Sequence, residues 1–131
     1  MGRMTRRKGK IIPNGVMLQA HEYKTVLLLT ELGLDVELIP RSNKFGEHTP
    51  DVRILGLLWE IKSPKGGGKY LIQNTLHKAA RQSENIIIDL RRIKIDQAKC
   101  LAKIEKEFRL TKRIKRIKVI NKTKEVIDFV R

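Results

Sequence analysis

The sequence has a single cysteine, few aromatic residues and no long apolar run. Of its 131 residues only Cys100 is a cysteine, and 5% are aromatic. One cysteine excludes an internal disulfide framework and a zinc site built from several cysteines. The scarcity of aromatics argues against base stacking as a major mode of binding. Without a long apolar run we expect no transmembrane helix, and Ile11-Ile12 is too short for the core of a signal peptide.

Acidic residues are also scarce relative to basic ones. The chain has 29 Lys and Arg against 14 Asp and Glu, which gives a formal net charge of +15. Such a field attracts polyanions, and for a soluble chain the usual polyanion is nucleic acid. A ribosome-associated protein or a protein bound to an anionic membrane surface would share this charge. Neither alternative predicts the acidic cluster described next, so we expect a nucleic-acid partner.

The acidic cluster lies in residues 49–68, which read TPDVRILGLLWEIKSPKGGG. Gly56 indicates a tight turn between two strands. A turn between Leu55 and Gly56 would place Asp51 opposite Glu60, with their Cβ atoms about 5 Å apart. Glu60 and Lys62 would share one face of the strand. In the alternative interpretation these charged residues face water, as such residues usually do, and Lys62 only prevents the sheet edge from pairing with another chain. A carboxylate inside LLWEIK is costly unless it is paired or binds a metal, so we favour a functional site.

Apolar periodicity predicts an α/β (α+β) fold, with a mixed central sheet flanked by helices. The order is an αβββαβ core followed by a C-terminal helix and hairpin. We expect residues 1–15 to form a flexible basic N-terminal arm and residues 16–131 to form a single domain. The predicted helices are 16–32, 70–81 and 96–108, and the predicted strands are 36–39, the two halves of 51–62, 85–90, 114–120 and 126–130.

Pro50-Asp51 and Glu60-Ile61-Lys62 match the signature of the PD-(D/E)xK nuclease superfamily. More closely, the chain resembles the C-terminal tRNA nuclease toxin domain of CdiA proteins from contact-dependent growth inhibition systems. The segments that carry this likeness are HEYKTVLLLTELG, TPDVRILGLLWEIKSPKG and ARQSENIIIDLRR. The resemblance implies a PD-(D/E)xK nuclease-like fold and a metal-dependent endoribonuclease that cleaves tRNA by phosphodiester hydrolysis.

The resemblance also implies roles for individual residues. The catalytic set would be Glu22, Asp51, Glu60 and Lys62, with the three carboxylates as metal ligands. Oxygen ligands suit Mg²⁺ or Mn²⁺. Lys62 would orient the attacking water or stabilise the developing negative charge. Gln82 resembles a glutamine that some of these nucleases place near the site, although a helix-capping role is an equal alternative.

Basic side chains and histidines provide further candidates. Lys65 and Lys69 flank three glycines that would let the loop approach a phosphate backbone, or simply connect two elements. We expect these two lysines to bind nucleic acid together with three residues of the second helix, which are His77, Lys78 and Arg81. His48 would touch substrate. His21 and His77 would instead serve a metal-free ribonuclease in which the RNA 2′-hydroxyl attacks.

Two other functions fit the same residues. One is a DNA endonuclease of the Holliday-junction or restriction type, and the other is a non-catalytic basic nucleic-acid-binding protein. A toxin would require an immunity protein, which we expect to be acidic because complementary charge steers association. Its site of action would be the cytoplasm of a target cell into which it is delivered.

Overall fold

The computed structural model describes residues 7–131. It is a mixed α+β fold, in which seven strands form one sheet and three helices cover it. The strands are β1 (Ile11–Ile12), β2 (Val36–Leu38), β3 (Val52–Ile54), β4 (Leu57–Lys62), β5 (Asn85–Asp89), β6 (Arg116–Ile120) and β7 (Val126–Val130), and the helices are α1 (Ala20–Glu31), α2 (Leu71–Ala80) and α3 (Gln97–Leu110).

The strands lie side by side in chain order, from β1 to β7. Three neighbouring pairs are parallel, namely β1–β2, β4–β5 and β5–β6, and each is connected by one of the three helices. Parallel neighbours require such a crossover, whereas antiparallel ones can be joined by a tight turn. The remaining pairs are antiparallel. Among residues 7–131, no helix is both long and apolar enough to cross a membrane.

Helices on both faces of the sheet create two apolar cores. One contains Val26 and Leu29 of α1, and the other contains apolar residues of α2 and α3. The central strand β5 contributes to both, because Ile87 packs in the first core while Ile86 and Ile88 pack in the second. This confirms the prediction that the three isoleucines belong to a strand buried on both faces.

The β3–β4 hairpin has the predicted register. Leu55 and Gly56 form its turn with φ values of 52° and 78°, and positive φ at both positions is what a type I′ turn requires. The ladder ends with Val52 paired to Trp59, and the same register continued by one residue would set Asp51 against Glu60. The Asp51 N–H donates to the Trp59 carbonyl at 3.0 Å. The hairpin therefore brings the two carboxylates close together at its open end.

The N-terminal region differs from the prediction. Residues 1–6 of the predicted flexible arm lie outside the described residues. Beyond them, the Gly9 N–H donates to the Thr30 carbonyl at 2.7 Å, and Ile11 pairs with Val36. A Cβ atom at Gly9 would lie 1.8 Å from the Leu34 carbonyl oxygen, so only glycine fits this approach. Ile11 and Ile12 of the predicted arm are thus part of the sheet.

The first helix is also shorter than predicted. It begins at Ala20 rather than at residue 16, because the Val16 N–H closes a turn onto the Pro13 carbonyl and Gln19 takes the N-cap position. Val16 and Leu18 still pack against the core, but from a loop. The other predicted elements agree with the structure to within two residues at each end.

Candidate active site

A cleft of about 710 Å³ lies above the open end of the β3–β4 hairpin. The start of α1, the loop between β2 and β3, the hairpin and the end of α2 all contribute to its walls. It is lined by Gln19, His21, Glu22, Arg41, Ser42, Glu47, His48, Thr49, Asp51, Glu60, Ile61, Lys62, Ser63, Lys78 and Gln82.

Asp51, Glu60 and Lys62 are close together in this cleft. The Glu60 residue is only 4% exposed, yet both of its carboxylate oxygens have partners. Oε1 lies 2.9 Å from His48 Nε2, and Oε2 lies 3.4 Å from Lys62 Nζ. Asp51 Oδ2 accepts a 2.8 Å hydrogen bond from the Ile61 N–H. These partners offset part of the cost of burying the two carboxylates.

The environment of Asp51 disfavours its charged form. Burial is the main cause that raises its pKa from 3.8 to about 6, and the nearby Glu60 and Glu22 carboxylates raise it further. The Ile61 N–H and the Lys62 ammonium oppose this shift. A cation between the carboxylates would offset the energetic cost of burying their charges and would reduce the repulsion between them.

The donor set fits a hard divalent cation with few protein ligands. Asp51 and Glu60 offer carboxylate oxygens, and Mg²⁺ is commonly held by one or two carboxylates while it keeps several waters. A cage of three protein ligands is not preformed, since residues 7–131 contain no group of three or more His, Cys, Asp or Glu side chains placed to hold one ion. The residues present therefore fit a two-carboxylate site.

Glu22 lines the cleft but is engaged in capping its own helix. Its Oε1 accepts a 3.1 Å hydrogen bond from the Gln19 N–H, at the position three residues into α1 that suits such a contact. The predicted role of Glu22 as a metal ligand would require this bond to break or to be shared. That role stays a prediction.

A buried polar network fixes α1 beside the cleft. Thr25 of α1 donates from Oγ1 to Asp89 Oδ2 at 2.6 Å, and Asp89 is only 2% exposed. Arg91 donates to both oxygens of Asp89, and its Nη2 also donates to the Lys24 carbonyl at 3.1 Å. The end of β5 thereby holds the helix whose first turn brings His21 and Glu22 to the cleft.

Eight of the predicted site residues meet in the cleft, namely Glu22, Asp51, Glu60, Lys62, His21, His48, Lys78 and Gln82. Four others do not line it. Lys65 and Lys69 are exposed in the glycine-rich loop, and His77 lies 2.8 Å from Glu107 of α3. Arg81 lines a separate, smaller pocket. The predicted nucleic-acid contacts of these four residues stay predictions.

The sequence did not indicate the pairing of His48 with Glu60. His48 belongs to the loop between β2 and β3, where no periodicity guides an assignment. The loop is held partly by a 2.9 Å hydrogen bond from the Ser42 N–H to Thr49 Oγ1. The available signal was proximity in sequence, because His48 precedes Asp51 by only three residues. Arg41 and Glu47 reach the cleft from the same loop and were also missed.

Gln82 stands out for an unpaired atom. Its Oε1 is the one buried side-chain polar atom, within residues 7–131, that has no hydrogen-bond partner. Buried polar atoms nearly always have a hydrogen-bond partner. An unpaired amide oxygen in a cleft therefore indicates a place where a bound molecule could donate a hydrogen bond.

Comparison with known proteins identifies the family and the fold of the chain. A family model described as the contact-dependent growth inhibition CdiA C-terminal domain matches residues 47–126. Among solved structures, a "CdiA-CT/CdiI toxin and immunity complex from Burkholderia pseudomallei" aligns with a TM-score of 0.70 at 18% identity, covering 94% of this chain and 100% of that one. This likeness shows a shared fold. No curated protein sequence matches the chain. Because the family model spans more than half of the chain, the protein belongs to the contact-dependent growth inhibition CdiA C-terminal domain family.

Proposed function

We propose that this protein is a toxin nuclease of the PD-(D/E)xK type that hydrolyses phosphodiester bonds in tRNA with the help of Mg²⁺ or Mn²⁺. One observation carries the proposal. Asp51, Glu60 and Lys62 lie together, largely buried, in a cleft of a chain whose net charge is +15. A structural role alone would not require two carboxylates and an ammonium group to converge in an open cleft.

Each residue would have a role that follows from the chemistry of its side chain. Asp51 and Glu60 would hold the metal, with Glu22 as a further ligand if its capping bond is released. When bound, the ion would neutralise phosphate charge and supply an activated water. Lys62 has a 19% exposed side chain, so it can face both Glu60 and a substrate phosphate. Its ammonium group would stabilise negative charge that develops on the phosphate.

His48 would position the Glu60 carboxylate. Its Nε2 contacts Glu60 Oε1, while its side chain is 42% exposed toward the cleft and solvent. Metal binding requires an available carboxylate oxygen, so the imidazole would move aside or share that oxygen. A donor in this position also holds Glu60 in place before the metal arrives.

The choice of tRNA is supported by the likeness to CdiA tRNA nuclease domains and by the charge of the chain. A strongly basic protein gains affinity from every phosphate it contacts. Family membership supports delivery into the cytoplasm of a target cell. The structural relative from Burkholderia pseudomallei is a toxin in complex with an immunity protein. We extend this to an acidic immunity partner here, because a basic surface favours one.

A cleavage assay with total tRNA and duplex DNA, each in Mg²⁺ and in EDTA, tests the proposal. Wild type should cleave tRNA in Mg²⁺ only. Asp51→Asn, Glu60→Gln and Lys62→Met should each lose activity by orders of magnitude, and a double variant should lose little more, because these residues act as one unit.

Glu37→Gln is the matched control, since Glu37 pairs with Arg53 outside the cleft and should be dispensable. Preferred cleavage of duplex DNA would favour the DNA endonuclease instead. Binding without any cleavage would leave a non-catalytic nucleic-acid-binding protein.

A further inference from the structure

We infer that the cleft is the middle of a longer path for a single polynucleotide strand, with a basic pocket at each end that holds a phosphate flanking the cleaved bond. The inference deepens the proposed function and rests on it for the position of the cleaved bond. It assigns phosphate contacts to residues outside the cleft.

The cleft itself is not basic, although the protein is. More carboxylates than Lys and Arg side chains line it. The carboxylates are those of Glu22, Glu47, Asp51 and Glu60, and the basic side chains are those of Arg41, Lys62 and Lys78. Such a lining attracts a cation but does not by itself attract a phosphodiester. Phosphates that hold the substrate in place must therefore bind next to the cleft rather than only inside it.

The first basic pocket adjoins the cleft beside α1. This Lys24 pocket has a volume of about 410 Å³ and shares His21 and Ser63 with the cleft. Its one carboxylate, Asp89, is already bound by Arg91 at 2.8 Å. Lys24 and Arg92 form no ion pair with any residue between 7 and 131. Two cations are thus free to contact a phosphate there.

The second basic pocket adjoins the cleft beyond the end of α2. This Lys115 pocket also has a volume of about 410 Å³, and it shares Gln82 with the cleft. Arg81, Arg113 and Lys115 line it against a single carboxylate, Glu84. In the described part of the chain none of these four side chains forms an ion pair. Gln82 lines both and therefore lies at the junction of this pocket with the cleft.

The sheet places the two pockets at opposite ends of the cleft. Ser63 and Asp89 of the Lys24 pocket lie at the carboxyl ends of the parallel strands β4 and β5. Glu84 and Lys115 of the Lys115 pocket lie just before β5 and β6, at the amino ends. At about 3.3 Å per residue, β5 separates these edges by roughly 13 Å. Because each pocket shares lining residues with the cleft, a strand that contacts both would run through the cleft.

The test compares three double variants that remove the same charge. Lys24→Gln/Arg92→Gln alters the first pocket, and Arg113→Gln/Lys115→Gln alters the second. Lys99→Gln/Lys106→Gln on the exposed face of α3 is the control, because these lysines line neither the pockets nor the cleft. Circular dichroism melting confirms that each variant is folded.

Affinity for a single-stranded RNA oligonucleotide is measured by fluorescence anisotropy in EDTA, at several salt concentrations. Each pocket variant should bind about fivefold more weakly, and the slope of log affinity against log salt should fall by about 0.7 for each phosphate that the variant no longer binds. The control should keep the slope of wild type. Equal slopes for the pocket variants and the control would overturn the inference.

The same titration with poly-glutamate distinguishes a protein partner from nucleic acid. Pocket variants that lose affinity for poly-glutamate but not for RNA would overturn the inference and assign the pockets to an acidic protein. Because binding is measured in EDTA, its outcome is independent of cleavage. A wild-type protein that binds through both pockets but cleaves nothing would contradict the proposed function and leave the strand path standing.

Discussion

At the scale of single residues, the cleft depends on carboxylates held away from water. Glu60 has a partner for each oxygen, while Asp51 is held by one backbone N–H and repelled by two neighbouring carboxylates. The charged form of Asp51 is therefore disfavoured in the folded protein. This is a stability cost that the proposed metal ion would offset.

Asp51 should make stability depend on pH. Its pKa is about 6 in the folded protein against an ordinary value of 3.8, so between about pH 4 and 6 the folded state binds more protons than the unfolded state. The contribution of Asp51 to stability is thus lost as pH rises through this window. In EDTA, urea unfolding should show Asp51→Asn gaining stability over wild type as pH rises from about 4 to 7. A difference that does not change with pH would contradict the environment described for Asp51.

Gln82 should also be more useful to function than to stability. Its buried Oε1 lacks a partner in the described part of the chain, and such an atom costs about 1–3 kcal/mol. Gln82→Met should raise the free energy of unfolding by about 1 kcal/mol, as measured by urea denaturation. Gln73→Met on the exposed side of α2 is the control and should be neutral. A destabilised Gln82→Met would show that the amide is already satisfied.

At the scale of elements, the β3–β4 hairpin sets the geometry of the site. Its turn uses Leu55 at φ 52°, and this leucine is 81% exposed. The left-handed region costs most residues about 1–2 kcal/mol, whereas asparagine enters it readily. Leu55→Asn should therefore stabilise the protein by up to about 1 kcal/mol in thermal or urea unfolding. Leu55→Val, with its branched Cβ, should destabilise it, and the opposite order would contradict the turn.

The hairpin was predictable because its segments are rich in apolar residues, Val52 and Ile54 are β-branched, and Gly56 indicates the turn. Strand β5 was predictable because three consecutive isoleucines suit burial on both faces. The strand β1 was not, since two residues have no periodicity and their place is set by contacts with β2 and α1. The contact of His48 with Glu60 was missed for a similar reason, because tertiary packing positions that loop.

At the scale of the whole molecule, charge is distributed unevenly. The chain carries a net charge of +15, yet the lining of the candidate active-site cleft has more carboxylates than lysines and arginines. Basic residues outside the cleft would attract the polyanion, and the acidic residues inside would hold the cation needed for hydrolysis. A basic protein with an acidic cleft favours the proposed nuclease over a protein that only binds nucleic acid.

The chemistry of the product ends tests this account most directly. Purified protein is incubated with tRNA in Mg²⁺ and in EDTA, and the new ends are identified by their reactivity toward kinase, phosphatase and ligase. Hydrolysis through Asp51, Glu60 and Lys62 predicts 5′-phosphate and 3′-hydroxyl ends that form only with the metal. A 2′,3′-cyclic phosphate formed in EDTA would show attack by the RNA 2′-hydroxyl, for which histidines such as His21 are suited. That result would contradict the roles assigned to the two carboxylates and Lys62.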